Sequence, residues 1–239
     1  MKKLSIVIPA YNEERFIGEL LEKIVGVDTE SIGYCKEVVV VDDGSSDNTA
    51  AIVSRYTWVT LVKQNNQGKG AAVRNGIYHS TGDYLLVQDA DLEYDPEDYK
   101  VMLTELNRQS GAVAIYGSRT MGMSAGHPLF KSKHKEQGFG QWLAGRVLSL
   151  WAWLLFGKYI SDTLTAYKLY PNLILKNLPI VTNGFETDHE LTCKLIKHGV
   201  QIVEVPISYS PRSVAEGKKI KARDGVIALW TFLRFRIYS

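Results

Sequence analysis

Five short apolar runs punctuate the first half of the chain, and stretches with helical spacing separate them. Leu4-Ser5-Ile6-Val7-Ile8 stops at Pro9, and Val38 to Val41 is four successive valines ending at Asp42-Asp43-Gly44-Ser45. Val59–Val62, Tyr84–Val87 and Ala112–Tyr116 repeat the pattern. Runs this continuous, with no polar alternation, predict strands buried on both faces, as in a parallel sheet covered by helices. Between the first two, Phe16, Ile17, Leu20, Leu21, Ile24 and Val25 recur at helical spacing. Asn12 is the predicted N-cap of that helix, with Glu13 and Glu14 in its first turn, where the helix dipole favours acids. Ser46 is predicted to cap a helix over Asp47–Arg55, and another is predicted over Gly68–Ser80. Asp95-Pro96-Glu97 supplies cap, N1 proline and N-terminal acid in order.

After about residue 120 the pattern changes. Met121 to Gln137 is rich in Gly, Ser, Lys and His without periodicity and reads as a mobile loop. An aromatic-rich helix is predicted over Gln141–Phe156, a strand over Leu164–Tyr170, and a helix over Glu186–His198. A strand over Gln201–Val205 and a terminal helix over Asp224–Arg236 complete the series. Alternating strands and helices give an open α/β sheet, mostly parallel, with helices on both faces. With no internal repeat or linker, residues 1–239 read as one domain, 1–120 forming one half and 121–239 the other.

Composition narrows the function classes. The 239 residues are 45% hydrophobic and 23% charged, ordinary for a globular protein. A net charge of +2 argues against a dedicated nucleic-acid binder. Two cysteines, Cys35 and Cys193, cannot build a disulfide framework and suggest a reducing compartment. The opening residues do not read as a signal peptide. No apolar run reaches the roughly 20 residues of a membrane span. The expected location is cytoplasmic.

Ligands of open α/β sheets bind beyond the carboxyl ends of the strands, and acids stand there twice. Asp42 and Asp43 end one run; Asp89, Asp91 and Glu93 follow another. On an extended segment residues i, i+2 and i+4 share a face, so these last three are expected to converge on a hard divalent cation, Mg²⁺ or Mn²⁺. A D-x-D alone is weak evidence and equally a polar loop; its position after a buried strand is what raises it.

Pro9-Ala10-Tyr11-Asn12-Glu13, Asp42-Asp43-Gly44-Ser45-Ser46-Asp47, Asn66-Gln67-Gly68-Lys69-Gly70 and Asp89-Ala90-Asp91, in this order, resemble family 2 glycosyltransferases of the GT-A fold. Asp162-Thr163-Leu164-Thr165-Ala166-Tyr167-Lys168 and the Arg212 to Lys219 stretch resemble the branch containing dolichyl-phosphate mannose synthases and dolichyl-phosphate glucosyltransferases. The resemblance implies a metal-dependent, inverting transfer of a hexose from a nucleotide sugar, GDP-mannose or UDP-glucose, to a polyprenyl phosphate. It implies nucleotide-sugar contacts from Pro9, Ala10, Tyr11, Glu13, Asp42, Asp43, Lys69 and Ala90, with Arg74 near the diphosphate or on a solvated helix face. The metal would be held by Asp89, Asp91 and Glu93, and the acceptor phosphate by Arg119, Arg212, Lys218 and Lys219. Glu186 or Asp188 would serve as general base for a hydroxyl acceptor; an ionised phosphate needs none.

From Arg212 onward seven basic residues face two acids, Glu216 and Asp224. Such a patch suits a lipid phosphate or an anionic membrane surface, or is an ordinary solvated tail. The helix carrying Trp142, Trp151 and Trp153 is apolar nearly all round, so it is either core or lipid-facing. These features imply peripheral attachment to the cytoplasmic face of a membrane. Three rivals remain: a family 2 enzyme acting on a saccharide hydroxyl, a nucleotidyltransferase, whose glycine-rich lysine-ended loop after the first strand is missing, and an inert nucleotide-sugar binder.

Overall fold

The computed structural model describes residues 1–124, 139–211 and 222–238, with side chains of 122–124, 139–142 and 222–223 left undescribed. β1 (Lys2–Ala10), β2 (Tyr34–Asp42), β3 (Val59–Lys63) and β4 (Tyr84–Val87) alternate with α1 (Ile17–Gly26), α2 (Thr49–Val53) and α3 (Lys69–His79). Then come α4 (Tyr99–Arg108), β5 (Val113–Ser118), α5 (Arg119–Ser124), α6 (Phe139–Phe156), β6 (Lys168–Pro171), α7 (Asn172–Asn177), α8 (Thr187–Lys197), β7 (Gln201–Pro206) and α9 (Ala222–Ile237).

Seven strands form one sheet in the order β3-β2-β1-β4-β6-β5-β7. All run parallel except β6, which lies antiparallel between β4 and β5. The continuous apolar runs explain the two-sided burial. Ile6, Ile8, Val38 and Val40 face α1 and α4, while Val7, Val39 and Val41 face α3 and α8. A third cluster joins α6 and α9 through Leu148, Ala152, Phe232 and Phe235, and reaches α8 at Cys193.

Several local expectations are corrected. Asn12 caps no helix: α1 starts at Ile17, and Asn12 has φ +54° with its Oδ1 accepting from the Ser46 amide at 2.8 Å. The second helix is shorter than expected and starts at Thr49, whose amide donates to Asp47 rather than to Ser46. Residues 164–167 do not join the strand, which begins at Lys168. Met121 to Ser124 belongs to α5; the rest of the expected loop lies outside the described residues. The Asp95 cap is as expected, its carboxylate accepting from the Glu97 amide at 3.1 Å.

Asp98, at the start of α4, receives the Ser208 amide at 2.7 Å. Burial pushes its carboxyl up to about 7, and Asp95 and Glu97 add to this against the Ser208 hydrogen bond. A raised folded pKa stabilises the protein fully below the unfolded value, near pH 4, and that stability is lost as pH rises through about 7. Asp98→Asn keeps an acceptor for Ser208 and carries no charge. Its melting temperature should therefore match wild type near pH 4 and exceed it increasingly towards pH 8. A difference independent of pH would contradict the assignment.

Candidate active site

The carboxyl ends of the parallel strands form one edge, and side-chain hydrogen bonds tie together the loops that leave it. After β1, the Asn12 amide donates to Ser45 Oγ at 2.9 Å, the Glu13 amide to Thr49 Oγ1 at 2.8 Å and the Glu14 amide to Asp47 at 3.1 Å. After β2, Asp42 accepts from the Ser45 amide at 3.2 Å. Asp43 accepts from Gln64 Nε2 at 2.7 Å and from the amides of Gln67 and Gly68 at 2.9 and 2.8 Å. Its backbone amide donates to Ala10 at 2.8 Å. Pro9, Ala10, Tyr11, Glu13, Asp42 and Asp43 therefore form one wall. In it Glu13, Asp42 and Asp43 are buried, whereas the Tyr11 ring is open to solvent.

A second wall comes from the start of α8, which meets the start of α3. The amides of Gly70 and Ala71 both donate to the Asn183 carbonyl, at 2.7 and 3.2 Å. A Cβ on Gly70 would stand 1.8 Å from Thr187 Oγ1, and Gly68 has φ +100° with Asn183 O 2.6 Å from its Cβ position. The two glycines of Gln67-Gly68-Lys69-Gly70 thus permit a close approach of backbone to backbone. Arg74 binds this wall, donating to the carbonyls of Ile180 and Thr182 and to Asn183 Oδ1. Its side chain is half-buried against this wall.

Lys69 sits between the walls, 2.7 Å from Asp89 and 3.8 Å from Asp188. Burial depresses the ammonium, but the two carboxylates outweigh it and hold the pKa above its ordinary value. Asp89 and Asp91 flank buried Ala90 on the loop after β4. That loop is a series of turns with Leu92 at φ +60°, so the expected extended segment does not exist. Asp91 accepts from the Glu93 amide at 3.2 Å, and Glu93 turns away to accept the Tyr209 hydroxyl at 2.7 Å. Among the described residues no three acids gather around a metal position. The expected convergence of Asp89, Asp91 and Glu93 on one extended face is therefore not seen among the described residues.

Arg119 opens α5 at the end of β5. Its Nε and Nη2 donate to the two oxygens of Asp162, each at 2.7 Å, and its amide donates to Asp162 at 3.0 Å. Tyr209 lies under the guanidinium, 4.9 Å away. Burial raises the Asp162 carboxyl, but Arg119 outweighs it and holds the pKa below the usual range. Glu204 in turn holds the Asp162 loop, accepting the amides of Ser161 and Asp162 at 2.8 and 3.2 Å.

The two expected acids of α8 separate. Asp188 faces Lys69, whereas Glu186 folds back onto the Gly184 amide at 3.2 Å. Arg212, Lys218 and Lys219 lie outside the described residues. Sequence reasoning gave no role to Asp162, Lys168, Tyr94 and Tyr209. Tyr94 stacks on Tyr167 at 5.0 Å and accepts from the Ala166 amide, joining the D-x-D loop to the segment before β6. The Asp162 to Lys168 motif was visible, but not its partners.

A family model described as glycosyl transferase family 2 matches residues 5–156. The chain is 32% identical over 261 residues to dolichyl-phosphate beta-glucosyltransferase of Saccharomyces cerevisiae, covering 96% of this chain and 75% of that protein. It is 35% identical over 104 residues to undecaprenyl-phosphate 4-deoxy-4-formamido-L-arabinose transferase of Salmonella dublin, covering 41% of this chain and 32% of that one. Glucosyl-3-phosphoglycerate synthase from Mycobacterium tuberculosis, solved with uridine-diphosphate, superposes with a TM-score of 0.72 at 18% identity, over 100% of this chain and 81% of that one. Mannosyl-3-phosphoglycerate synthase from Rubrobacter xylanophilus gives a TM-score of 0.69 at 16% identity, covering 98% of this chain and 72% of that one. The architecture is the GT-A fold.

The contact between α3 and α8 yields a stability test. Gly70→Ala should lower unfolding free energy by about 1–3 kcal/mol, because Thr187 and the 183–184 backbone must move. Gly225→Ala meets nothing within 4 Å and should be neutral or stabilising. Equal denaturation midpoints for the two variants would refute the close approach.

Proposed function

The chain belongs to glycosyl transferase family 2, and we propose that it transfers a hexose from a nucleotide sugar such as GDP-mannose or UDP-glucose to a polyprenyl phosphate, inverting the anomeric carbon. One observation carries the reading: a lysine bound to the first acid of the D-x-D and a half-buried, carboxylate-held arginine stand at the same sheet edge. The relatives named for dolichyl and undecaprenyl phosphates support the acceptor class.

Asp89 and Asp91 fit a hard divalent cation, which takes one or two carboxylates and completes its shell with substrate phosphate oxygens. The Mycobacterium tuberculosis neighbour solved with Mn²⁺ and uridine-diphosphate supports that class. When bound, such a cation supplies Lewis-acid stabilisation of the leaving diphosphate. Lys69 adds a fixed positive charge on the same side. Pro9, Ala10, Tyr11, Glu13, Asp42 and Asp43 line the nucleotide side, with Asp43 acting through the loop it holds. Arg119, locked by Asp162, offers its remaining N–H groups to the acceptor phosphate. A phosphate oxygen then forms the new bond to the anomeric carbon as the bond to the diphosphate breaks. The nucleoside diphosphate leaves with that electron pair. No proton is removed, which agrees with Asp188 being paired to Lys69 and Glu186 to a backbone amide.

With Mn²⁺ or Mg²⁺, a radiolabelled nucleotide sugar and a short polyprenyl phosphate, metal-dependent label should enter the organic phase. Asp91→Ala should reduce it at least about a hundredfold, and Glu186→Gln should stay within about threefold. Release of nucleoside diphosphate without labelled lipid would exclude this acceptor, and a hundredfold loss in Glu186→Gln would point to a hydroxyl acceptor.

A lipid acceptor also calls for a membrane-facing surface, and α6 with α9 supports one. Outward on α6 lie Leu143, Val147, Leu150 and Leu154, and outward on α9 lie Val226, Trp230 and Ile237, each set at helical spacing and exposed. Trp153 stands beside the first set, 48% exposed. Among residues 139–156 the only charge is Arg146, and 222–237 hold three arginines and one acid. That charge suits an anionic lipid surface and disfavours pairing with a second copy. No helix of the described residues is long and apolar enough to cross a membrane. Sedimentation with vesicles of phosphatidylcholine and phosphatidylglycerol should fall about tenfold in a Trp153→Glu, Trp230→Glu double variant with little change in melting temperature. Unchanged sedimentation would count against this face.

A further inference from the structure

Lys168 is the first residue of β6, the one reversed strand, and its side chain is fully buried. Register sets it opposite Val87 at the end of β4 and Tyr116 of β5, between the strands that lead to Asp89 and Arg119. Its Nζ donates to the carbonyls of Thr163 and Asp188, both at 3.4 Å, and lies 4.9 Å from the centre of the Tyr116 ring. These hydrogen bonds are long, and among the described residues Lys168 forms no ion pair with a carboxylate. An ammonium so weakly compensated costs stability that an apolar side chain of similar length would not.

The two carbonyls show what this cost maintains. Thr163 follows Asp162, whose carboxylate holds Arg119 on the acceptor side. Asp188 faces Lys69 on the donor side. The Asp188 carbonyl also accepts the Thr192 hydroxyl at 2.8 Å, and Thr192 is bonded to the Tyr116 hydroxyl at 2.9 Å. Lys168 and Thr192 therefore polarise one backbone oxygen at the first turn of α8.

We propose that Lys168 is a positioning residue for the transfer reaction, a buried cationic tie that fixes the Asp162 segment and the Asp188 segment at one separation, so that acceptor phosphate and donor sugar meet in line. The kinetic part rests on the glycosyl-transfer reading above. A tie of this kind acts on the reactive alignment and not on the affinity for either substrate.

The test compares Lys168→Met, which keeps the stem, with Lys168→Arg, which keeps the charge. Lys168→Met should melt at or above the wild-type temperature and bind Mn²⁺-nucleoside diphosphate within about threefold of wild type. Its kcat should nonetheless fall more than about thirtyfold at a nearly constant donor KM. Lys168→Arg should retain more of kcat than Lys168→Met. Unchanged kcat in Lys168→Met, or equal losses in both variants that track a lowered melting temperature, would overturn the proposal. Hydrogen exchange supplies a readout independent of the reaction, and so separates failure here from failure of the acceptor reading. In Lys168→Met the amides of residues 161–165 and 186–190 should both exchange at least about tenfold faster, with those of α1 unaffected. Loosening of one segment alone, or of neither, would also overturn it.

Discussion

Carboxylates accepting backbone N–H groups are the interaction on which this structure depends. A parallel sheet delivers its loops to one edge, and amides leaving a strand there have no neighbouring strand to bond. Here acids take that role in sequence. Asp42 holds the Ser45 amide, Asp43 those of Gln67 and Gly68, and Asp47 those of Glu14 and Thr49. Asp162 holds Arg119, Glu204 holds Ser161 and Asp162, and buried Glu190 holds Val181 and Thr182. A carboxylate accepts several such bonds at once, and each is stronger than a neutral one. The edge is therefore shaped before any ligand arrives, as electrostatic catalysis requires.

The same side-chain chemistry divides into two uses. Most of these acids are committed to amides, whereas Asp89 and Asp188 face Lys69. Positive charge is held at two points, by Lys69 against Asp89 and by Arg119 against Asp162. Glu93 belongs to the structural group through Tyr209, and it links the D-x-D loop to the segment after β7, whose Ser210 amide donates to the Glu93 carbonyl at 2.8 Å. The tyrosines Tyr94, Tyr167, Tyr99 and Tyr209 form the packed floor beneath these charges. They exclude water from beneath the ion pairs and so keep them strong.

The helical layer of α6 and α9 answers a different demand. Its inner faces close on each other and on Cys193, with Trp151 Nε1 donating to the Leu229 carbonyl at 3.1 Å. That leaves the outer faces apolar. Of the two expectations for the α6 helix, the core one holds for part of it: Leu148 and Ala152 are core, and Leu150 and Leu154 are exposed.

The sequence by itself determined what depends on near neighbours. Runs of β-branched residues set the strands, periodic apolar positions set α1, and Asp95-Pro96 started the turn into α4, because period and cap chemistry act within a few residues. The acids placed just after the second and fourth apolar runs likewise pointed to the sheet edge where the candidate site lies. Only the tertiary structure decided which partner each polar side chain took. Asn12 and Ser46 looked like caps and became cross-ties between loops. Glu93 was expected to share a face with Asp89 and Asp91 and instead accepts the Tyr209 hydroxyl, because a left-handed Leu92 breaks the extended geometry that would have aligned it. Asp162, Lys168 and Tyr209 carried no local signal for their roles. Their partners lie 43, 20 and 116 residues away in the chain, at distances that periodicity does not reach and that the folded sheet brings within a hydrogen bond.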